Sequence, residues 1–333
     1  MKAILLDGFG GPEVMVFTDA PEPEWNSKQV LIRVHATSVN RPDVIQRQGN
    51  YPPPPGDSLI LGLEAAGTIE TVGEQVSGWR IGDRVTALVG GGGYAEFVAA
   101  WPEHLIRIPD TISFHEAACI PETYLTAYLV LFLLGKLTDC ETVLLHGGGG
   151  GVNTAAIHLC RHLIRDCKII VTASSSKLKR IEDLGVDFVV DYQNQEFSLE
   201  VRELTDGQGV DAILDHIGGP YLAGNMKCLA VGGRLLQIGV SEGTHGKINL
   251  ALLMVKRQHI IGSVLRSRSV QEKGEIIRSF TERVMPFFEK SIFAPLISDV
   301  LPLEQAAEGH RMMESSQHFG KIVLAVNSED TQS

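Results

Sequence analysis

The chain has 333 residues, 44% of them apolar and 21% charged, with a formal net charge of −11 at pH 7. That length and apolar share suit two ordinary globular domains. The acidic balance, with lysines and arginines scattered along the chain, argues against a nucleic-acid or acidic-membrane partner.

Five cysteines between Cys119 and Cys228 form no C-x-x-C pair, which suggests neither a disulfide framework nor a zinc ribbon. The start, MKAILLDGFGG, lacks the apolar core and small-residue cleavage site of a signal peptide, and no uncharged apolar run is long enough to span a membrane. A cytoplasmic protein with reduced thiols is expected.

Up to about Ile120 the pattern is one of short strand-like runs between turn residues: VLIRVHATSVN, GLEAAGTIETVG, DRVTALVG and GYAEFVAA. This predicts a β-rich unit without clear helices. From Tyr124 to about Ser269 strand and helix patterns alternate. KIIVTAS, FVVDY, VDAILDHIG, GRLLQIG and HIIGSVL read as strands, with helices over Lys177 to Leu184 and near Leu199 and Tyr221. That order predicts an α/β doubly wound parallel sheet. The tail has a strand-like LPL, a helix from Glu304 to Glu314 and a closing GKIVLAV. Its short strands suit the first domain better, so the second is expected to be inserted into it. The expected boundaries are residues 1–122 with 285–333, and 123–284.

The alternating region opens on ETVLLHGGGGGVNTAAIHLC, residues 141–160: an apolar run, five glycines, then alanine-rich helical spacing. Gly148, Gly150 and Asn153 occupy the marked positions of the fingerprint G-x-G-x-x-G. There the first glycine makes the tight turn, the second admits a pyrophosphate, and the helix amides bind the anion. Gly151 and Val152 complete this cradle. Asn153 replaces the third glycine, so its side chain either pushes the helix outward or points past the strand.

The next strand ends Thr172-Ala173-Ser174-Ser175-Ser176-Lys177 instead of in the carboxylate usual for NAD. Ser174 and Lys177 offer donors and positive charge to a 2′-phosphate, and no carboxylate is evident in this segment, so NADPH is the expected coenzyme.

GFGGPEVM, VNRPDVIQRQGNYPPPPG, GLEAAGTI, IPETYLTAY, the glycine turn, VLRSRS and GKIVL together resemble the quinone oxidoreductase branch of the zinc-independent medium-chain dehydrogenases and reductases. The resemblance runs nearly end to end. It implies a Rossmann domain inserted into a β-rich GroES-like domain and an NADPH-dependent quinone reductase. The alternatives are an enone reductase, or an NADPH-binding protein with weak catalysis.

The resemblance also implies that Asn40, Thr126, His216, Ile238 and Leu265 lie around the nicotinamide, that Tyr192 touches the 2′-phosphate, and that Tyr51 is the substrate-side tyrosine. A tyrosine packed on a rigid proline turn explains Tyr51 equally well, and a lysine opening an edge strand explains Lys321. Zinc-dependent members of the wider family carry a cysteine before the aspartate and a histidine in G-H-E. Here those segments read Asn40-Arg41-Pro42-Asp43 and Gly62-Leu63-Glu64, so no metal is expected. His158 and His162 have helical spacing but no third ligand. A homodimer joined through the edge strand HIIGSVLRS is expected, because an apolar edge left bare invites aggregation.

Overall fold

The computed structural model describes residues 1–326. Its chain divides into two compact units, Met1–Leu125 together with residues from Leu265 onward, and Thr126–Val264.

The first unit begins with a hairpin of β1 (Lys2–Leu6) and β2 (Met15–Asp19). Next come β3 (Val30–Val39), β4 (Glu64–Val72), β5 (Arg84–Leu88), β6 (Phe97–Ala100) and β7 (Leu105–Arg107). The predicted strand runs contain β3 to β6. Val30, Ile32 and Val34 of β3 pack with Ile69, Val85 and Val98 in one apolar cluster.

The unit is not free of helices as expected. α1 (Arg41–Arg47) follows β3, and α2 (Phe114–Ala117) precedes α3 (Pro121–Tyr128). α1 starts at Asn40, whose backbone N–H donates to Asp43 in a capping box. The residue pattern N-R-P-D carries that cap, with proline at the start of the helix where its missing N–H costs nothing.

In the second unit, β8 (Thr142–His146) leads into α4 (Gly151–Leu163), β9 (Lys168–Ala173) into α5 (Leu178–Glu182), and β10 (Phe188–Asp191) into α6 (Phe197–Leu204). β11 (Val210–Asp215), α7 (Gly219–Cys228), β12 (Leu229–Gln237), α8 (Leu250–Val255) and β13 (His259–Gly262) complete it. The six strands are parallel in the order β10-β9-β8-β11-β12-β13. This is the doubly wound sheet read from the sequence, and its central strands are near-continuous apolar runs because both faces are covered.

The chain then returns to the first unit at Leu265, twenty residues before the expected return at 285. The cause is α9 (Val270–Glu289), a helix that the strand reading passed over. It buries Ile276, Ile277, Phe280, Val284 and Phe288. Its Phe288 ring meets Tyr124 edge-on, Thr111 Oγ1 donates to the Phe288 carbonyl, and Gly274 lies where any Cβ would reach 2.9 Å from Glu103. These contacts make α9 part of the first unit. β14 (Ile297–Pro302), α10 (Ala306–Ser315) and β15 (Lys321–Ala325) follow. β15 lies between β14 and β3, in the order β14-β15-β3-β4-β5-β7, and β6 shares with β15 the side of β3 away from β4, pairing with Val30–Arg33 while β15 pairs with Ala36–Val39.

A buried polar chain clamps α1 to α10. Arg47, fully buried, pairs with Glu314 at 2.6 Å and donates to His310 Nδ1, while His310 Nε2 and Asp43 both meet the Tyr94 hydroxyl. Burial and the Arg47 charge push His310 down to about 3, which keeps the imidazole neutral and fits an Nδ1 that accepts. Asp43 also accepts from the Gly62 amide.

Gly62 has φ +100°, and a Cβ there would come within 2.6 Å of the Tyr94 ring and 2.7 Å of the Gly93 backbone. We expect Gly62→Ala to lower the unfolding free energy by about 2–5 kcal/mol, the combined scale of left-handed strain and overpacking. Denaturant unfolding monitored by circular dichroism measures it.

Candidate functional site

The glycine turn sits at the carboxyl end of β8, and its glycines divide the work differently from the expectation. Gly147, not Gly148, takes the left-handed turn, with φ +75°, and a Cβ there would meet the His216 ring at 2.6 Å. Gly148 is needed for packing, because a Cβ would collide with Val171 and Ile181. Gly150 is the open position, with only the Gly147 carbonyl at 3.7 Å from where a Cβ would stand. It caps α4 in an extended conformation. The first N–H groups of α4, at Gly151 and Val152, have no acceptor within the helix. A cradle open at Gly150 and lined by helix amides fits a pyrophosphate.

Asn153 does not point past the strand. It is buried, and its Nδ2 donates to the carbonyls of His146 and Gly147, the latter at 2.9 Å, tying α4 back to the strand end. Beneath it, burial pushes His146 down to about 4. The neutral ring meets Thr172 Oγ1 at 3.0 Å and Asn225 Oδ1 at 2.8 Å, and Asn225 donates to Asp215.

The sheet topology brings together residues far apart in sequence. Tyr192 lies beside the end of β9, its amide donating to the Ala173 carbonyl, so Ser174, Lys177 and Tyr192 share one corner. Burial and the neighbouring Arg180 lower the Lys177 pKa. Arg180, one turn on, is a second cation that the sequence reading missed, although K-L-K-R spells it out.

A carboxylate does stand here, contrary to the reading of β9 alone. Asp191 ends the adjacent strand and accepts from Ser175 Oγ at 2.6 Å, Asn194 Nδ2 at 2.8 Å and the Gln193 amide. Ser175 and Asn194 hold its carboxyl below the usual range. At the other side of the turn, His216 follows β11, and the Ile238 amide bonds the Asp215 carbonyl. Both therefore lie at carboxyl ends of strands, where doubly wound sheets take their ligands. Thr126, in α3, begins this unit, whereas Leu265 begins the return to the first.

In the first unit, Asn40 belongs to a buried ionic cluster. Glu64, with no exposed surface, accepts from Ser38 Oγ at 2.5 Å, Asn40 Nδ2 at 2.7 Å, Lys321 Nζ at 3.0 Å and the Glu122 amide at 2.8 Å. Lys321 also donates to Asn40 Oδ1 and the Val39 carbonyl. It is 3% exposed and opens an interior strand, not an edge. Both ends of the Asn40 amide are thus engaged within this cluster.

The donors do not fit a catalytic zinc. Leu63 is aliphatic and buried, and the Glu64 carboxylate is already matched by an ammonium. Among the described residues, no group of three or more His, Cys, Asp or Glu side chains could hold a metal.

Glu122 is the group that sequence reasoning missed most completely. Burial and the nearby Glu64 charge, against the pull of Lys321, push its carboxyl up to about 8, so it carries a proton at neutral pH. Tyr51 is its electrostatic neighbour. Burial first and Glu122 second raise the phenol, while Arg266 opposes them. The Arg266 guanidinium lies 5.1 Å from the Tyr51 ring centre, and its Nη1 donates to the Tyr51 carbonyl. The Tyr51 hydroxyl has no hydrogen-bond partner among the described residues. Two proton-bearing side chains, a phenol and a carboxylic acid, are therefore electrostatic neighbours in the first unit.

Comparison with known proteins agrees with this anatomy. Residues 26–110 match the alcohol dehydrogenase GroES-like domain, and residues 184–324 match the zinc-binding dehydrogenase family. A quinone oxidoreductase of Rattus norvegicus is 33% identical, over 97% of each chain. A synaptic vesicle membrane protein VAT-1 homolog of Danio rerio is 31% identical over 97% of this chain and 69% of its own. Among solved structures, an NAD-dependent alcohol dehydrogenase superposes with a TM-score of 0.86 at 34% identity, covering 98% of this chain and all of the other. A mycobacterial protein in complex with NADPH superposes with a TM-score of 0.87 at 29% identity and the same coverage.

A GroES-like unit interrupted by a parallel Rossmann unit defines an oxidoreductase that works on small molecules, and the chain belongs to the medium-chain dehydrogenase/reductase family. Within that family it fits the zinc-independent quinone oxidoreductase branch.

The Glu122 shift sets a pH dependence. Its folded pKa lies above the unfolded value of 4.5, so the stability it contributes is full below pH 4.5 and is lost as pH rises through about 8. Between pH 5 and 8, Glu122→Gln is expected to remove a decline of at most about 1.4 kcal/mol per pH unit. Unfolding curves of the parent and variant at matched pH values read the difference, and parallel pH profiles would refute the shift.

Proposed function

We propose that the protein is an NADPH-dependent quinone oxidoreductase that works without a metal. The observation carrying this reading is the pair of proton-bearing groups, Tyr51 and Glu122, beside a buried Glu64–Lys321 ion pair in place of a zinc ligand set. When bound, the coenzyme supplies a hydride to an electrophilic carbon of the acceptor. Quinone carbonyls are conjugated and need no Lewis acid, so positioning and a proton source suffice. Simple aldehydes and ketones lack that activation.

For the coenzyme, Ser174, Lys177 and Tyr192, with Arg180 beside them, support a 2′-phosphate. Asp191 is already engaged by three donors, so it presents a satisfied carboxylate, not a free acceptor for a ribose hydroxyl. The pyrophosphate is held by the turn from Gly148 to Val152, with Thr126, His216 and Ile238 on the nicotinamide side. In the first unit, the roles assigned to Asn40 and Leu265 rest on the family resemblance. The solved NADPH complex is consistent with the phosphorylated coenzyme.

A homodimer goes with this reading. β13 is an edge strand whose His259 and Ile260 are exposed, and pairing two such edges satisfies their open backbone groups. No helix among the described residues is long and apolar enough to cross a membrane, and we assign the enzyme to the cytoplasm.

Enone reduction is the second reading, because Tyr51 and Glu122 could each stabilise an enolate. Tyr51→Phe separates the two activities. A quinone completes protonation from water or Glu122 and should lose less than about threefold in kcat, whereas an enone should lose about tenfold to a thousandfold, the scale of one lost donor. Steady-state NADPH oxidation with an ortho-quinone and with an enone measures both. Failure to oxidise NADPH with either acceptor would leave a coenzyme-binding protein.

The coenzyme preference is tested separately. Lys177→Ala should remove at least about 1.5 kcal/mol of the NADPH preference over NADH, the scale of a charge-assisted hydrogen bond. Calorimetric titration with both coenzymes measures it, and equal affinities in the parent protein would overturn the assignment.

A further inference from the structure

We infer that the first unit carries a second ligand site, apart from the Glu64 cluster, which binds a small amphipathic carboxylate. A cavity of 780 Å³ opens within this unit, inside the range of small-molecule pockets. Trp25, Trp101 and Pro54 are among its apolar walls, and Arg266, Arg268 and Lys273 line it with positive charge. Neither Tyr51 nor Asn40, Glu64, Glu122 or Lys321 lines it.

Arg266 and Lys273 make no ion pair with any described residue, whereas Arg268 reaches Glu272 at 3.5 Å. Lys273, in the first turns of α9, is only 6% exposed, yet its ammonium makes no hydrogen bond or ion pair with any described residue. Burial lowers its pKa and the Arg266 charge adds to that, while Asp57 and Glu122 oppose it without reaching ion-pair distance. Arg266, 4% exposed, spends its donors on uncharged oxygens, namely the Gly90 and Tyr51 carbonyls and the Gln46 amide. Arg268 Nε is buried without a partner.

The acids that line the cavity, Asp57 and Glu24, form no ion pair with Lys273 or Arg266 among the described residues. Asp57 is half-buried with its pKa raised by burial, and Glu24 is exposed to solvent. His104, pushed down to about 4, is neutral. A buried, unpaired ammonium is costly and is relieved by an anion in contact. Phosphate alone would leave the tryptophan and proline walls wetted and most of the volume empty. A carboxylate on an apolar body satisfies both halves of the cavity.

The chain has three tryptophans, two of which line the cavity, whereas Trp79 lies 4.5 Å beneath the Arg107 guanidinium. Tryptophan emission therefore reports occupancy directly. The intact protein is titrated with octanoate, octan-1-ol and inorganic phosphate, by emission and by calorimetry. Octanoate should bind saturably and at least about tenfold tighter than either comparison, and Lys273→Met should weaken octanoate about tenfold or more while leaving octan-1-ol and coenzyme affinity unchanged. Should that variant fail to fold, Arg268→Gln is read in the same way, and the comparison of head groups on the parent protein stands by itself. Absent saturation, equal binding of octan-1-ol or phosphate, or undiminished octanoate binding by the charge-deleted variant would each overturn the site.

Discussion

Glu64 is the residue on which the first unit depends. A carboxylate with no exposed surface is tolerated only when its oxygens are filled by donors and its charge is matched. Here Ser38 and Asn40 come from the end of β3 and the residue after it, Lys321 from β15, and the fourth donor is the backbone at the start of α3. One side chain thus sets the meeting point of β3, β4, β15 and α3. Burial and the same carboxylate raise Glu122, so an element of folding also sets the protonation of a neighbouring acid. The Lys321 ammonium keeps a positive charge within the cluster, 3.0 Å from the Glu64 carboxylate.

The second unit achieves its precision by local means. Gly147 bends the chain, Gly148 makes room for Val171 and Ile181, and Gly150 leaves the approach open. The usual third glycine lets helix and strand touch, whereas Asn153 spans the interval with hydrogen bonds to two carbonyls. The turn is therefore tethered by its own side chain before any ligand arrives, which reduces the ordering cost of binding.

Elements whose pattern is local could be read in the sequence. Alternating strands and helices, the glycine turn and the return of the tail to the first unit all follow from periodicity and turn residues in short windows. The helix α9 was also spelled out, by Ser269 and Glu272 in capping-box spacing, but a strand-by-strand reading ran past it and shifted the boundary. What could not be read depends on which strands become neighbours. Lys321 is ordinary until β15 is found between β14 and β3. Asp191 belongs to the next strand in sequence, yet parallel pairing sets it beside Ser175. Glu122 acquires its raised pKa from its burial and from Glu64, 58 residues earlier, and neither is visible in its local sequence.

The position of β15 also sets an order of assembly during synthesis. The second unit is one contiguous stretch whose six strands can pair as soon as it leaves the ribosome. The first unit must wait: β3 has no β15 beside it, and Glu64 no ammonium, until a lysine 257 residues downstream has been made. Until then a nascent chain exposes an unpaired edge of β3, the kind of surface on which chains associate wrongly. The contiguous inserted unit can therefore complete its sheet while its host still lacks β15, the reverse of the usual order in which the amino-terminal domain is completed first.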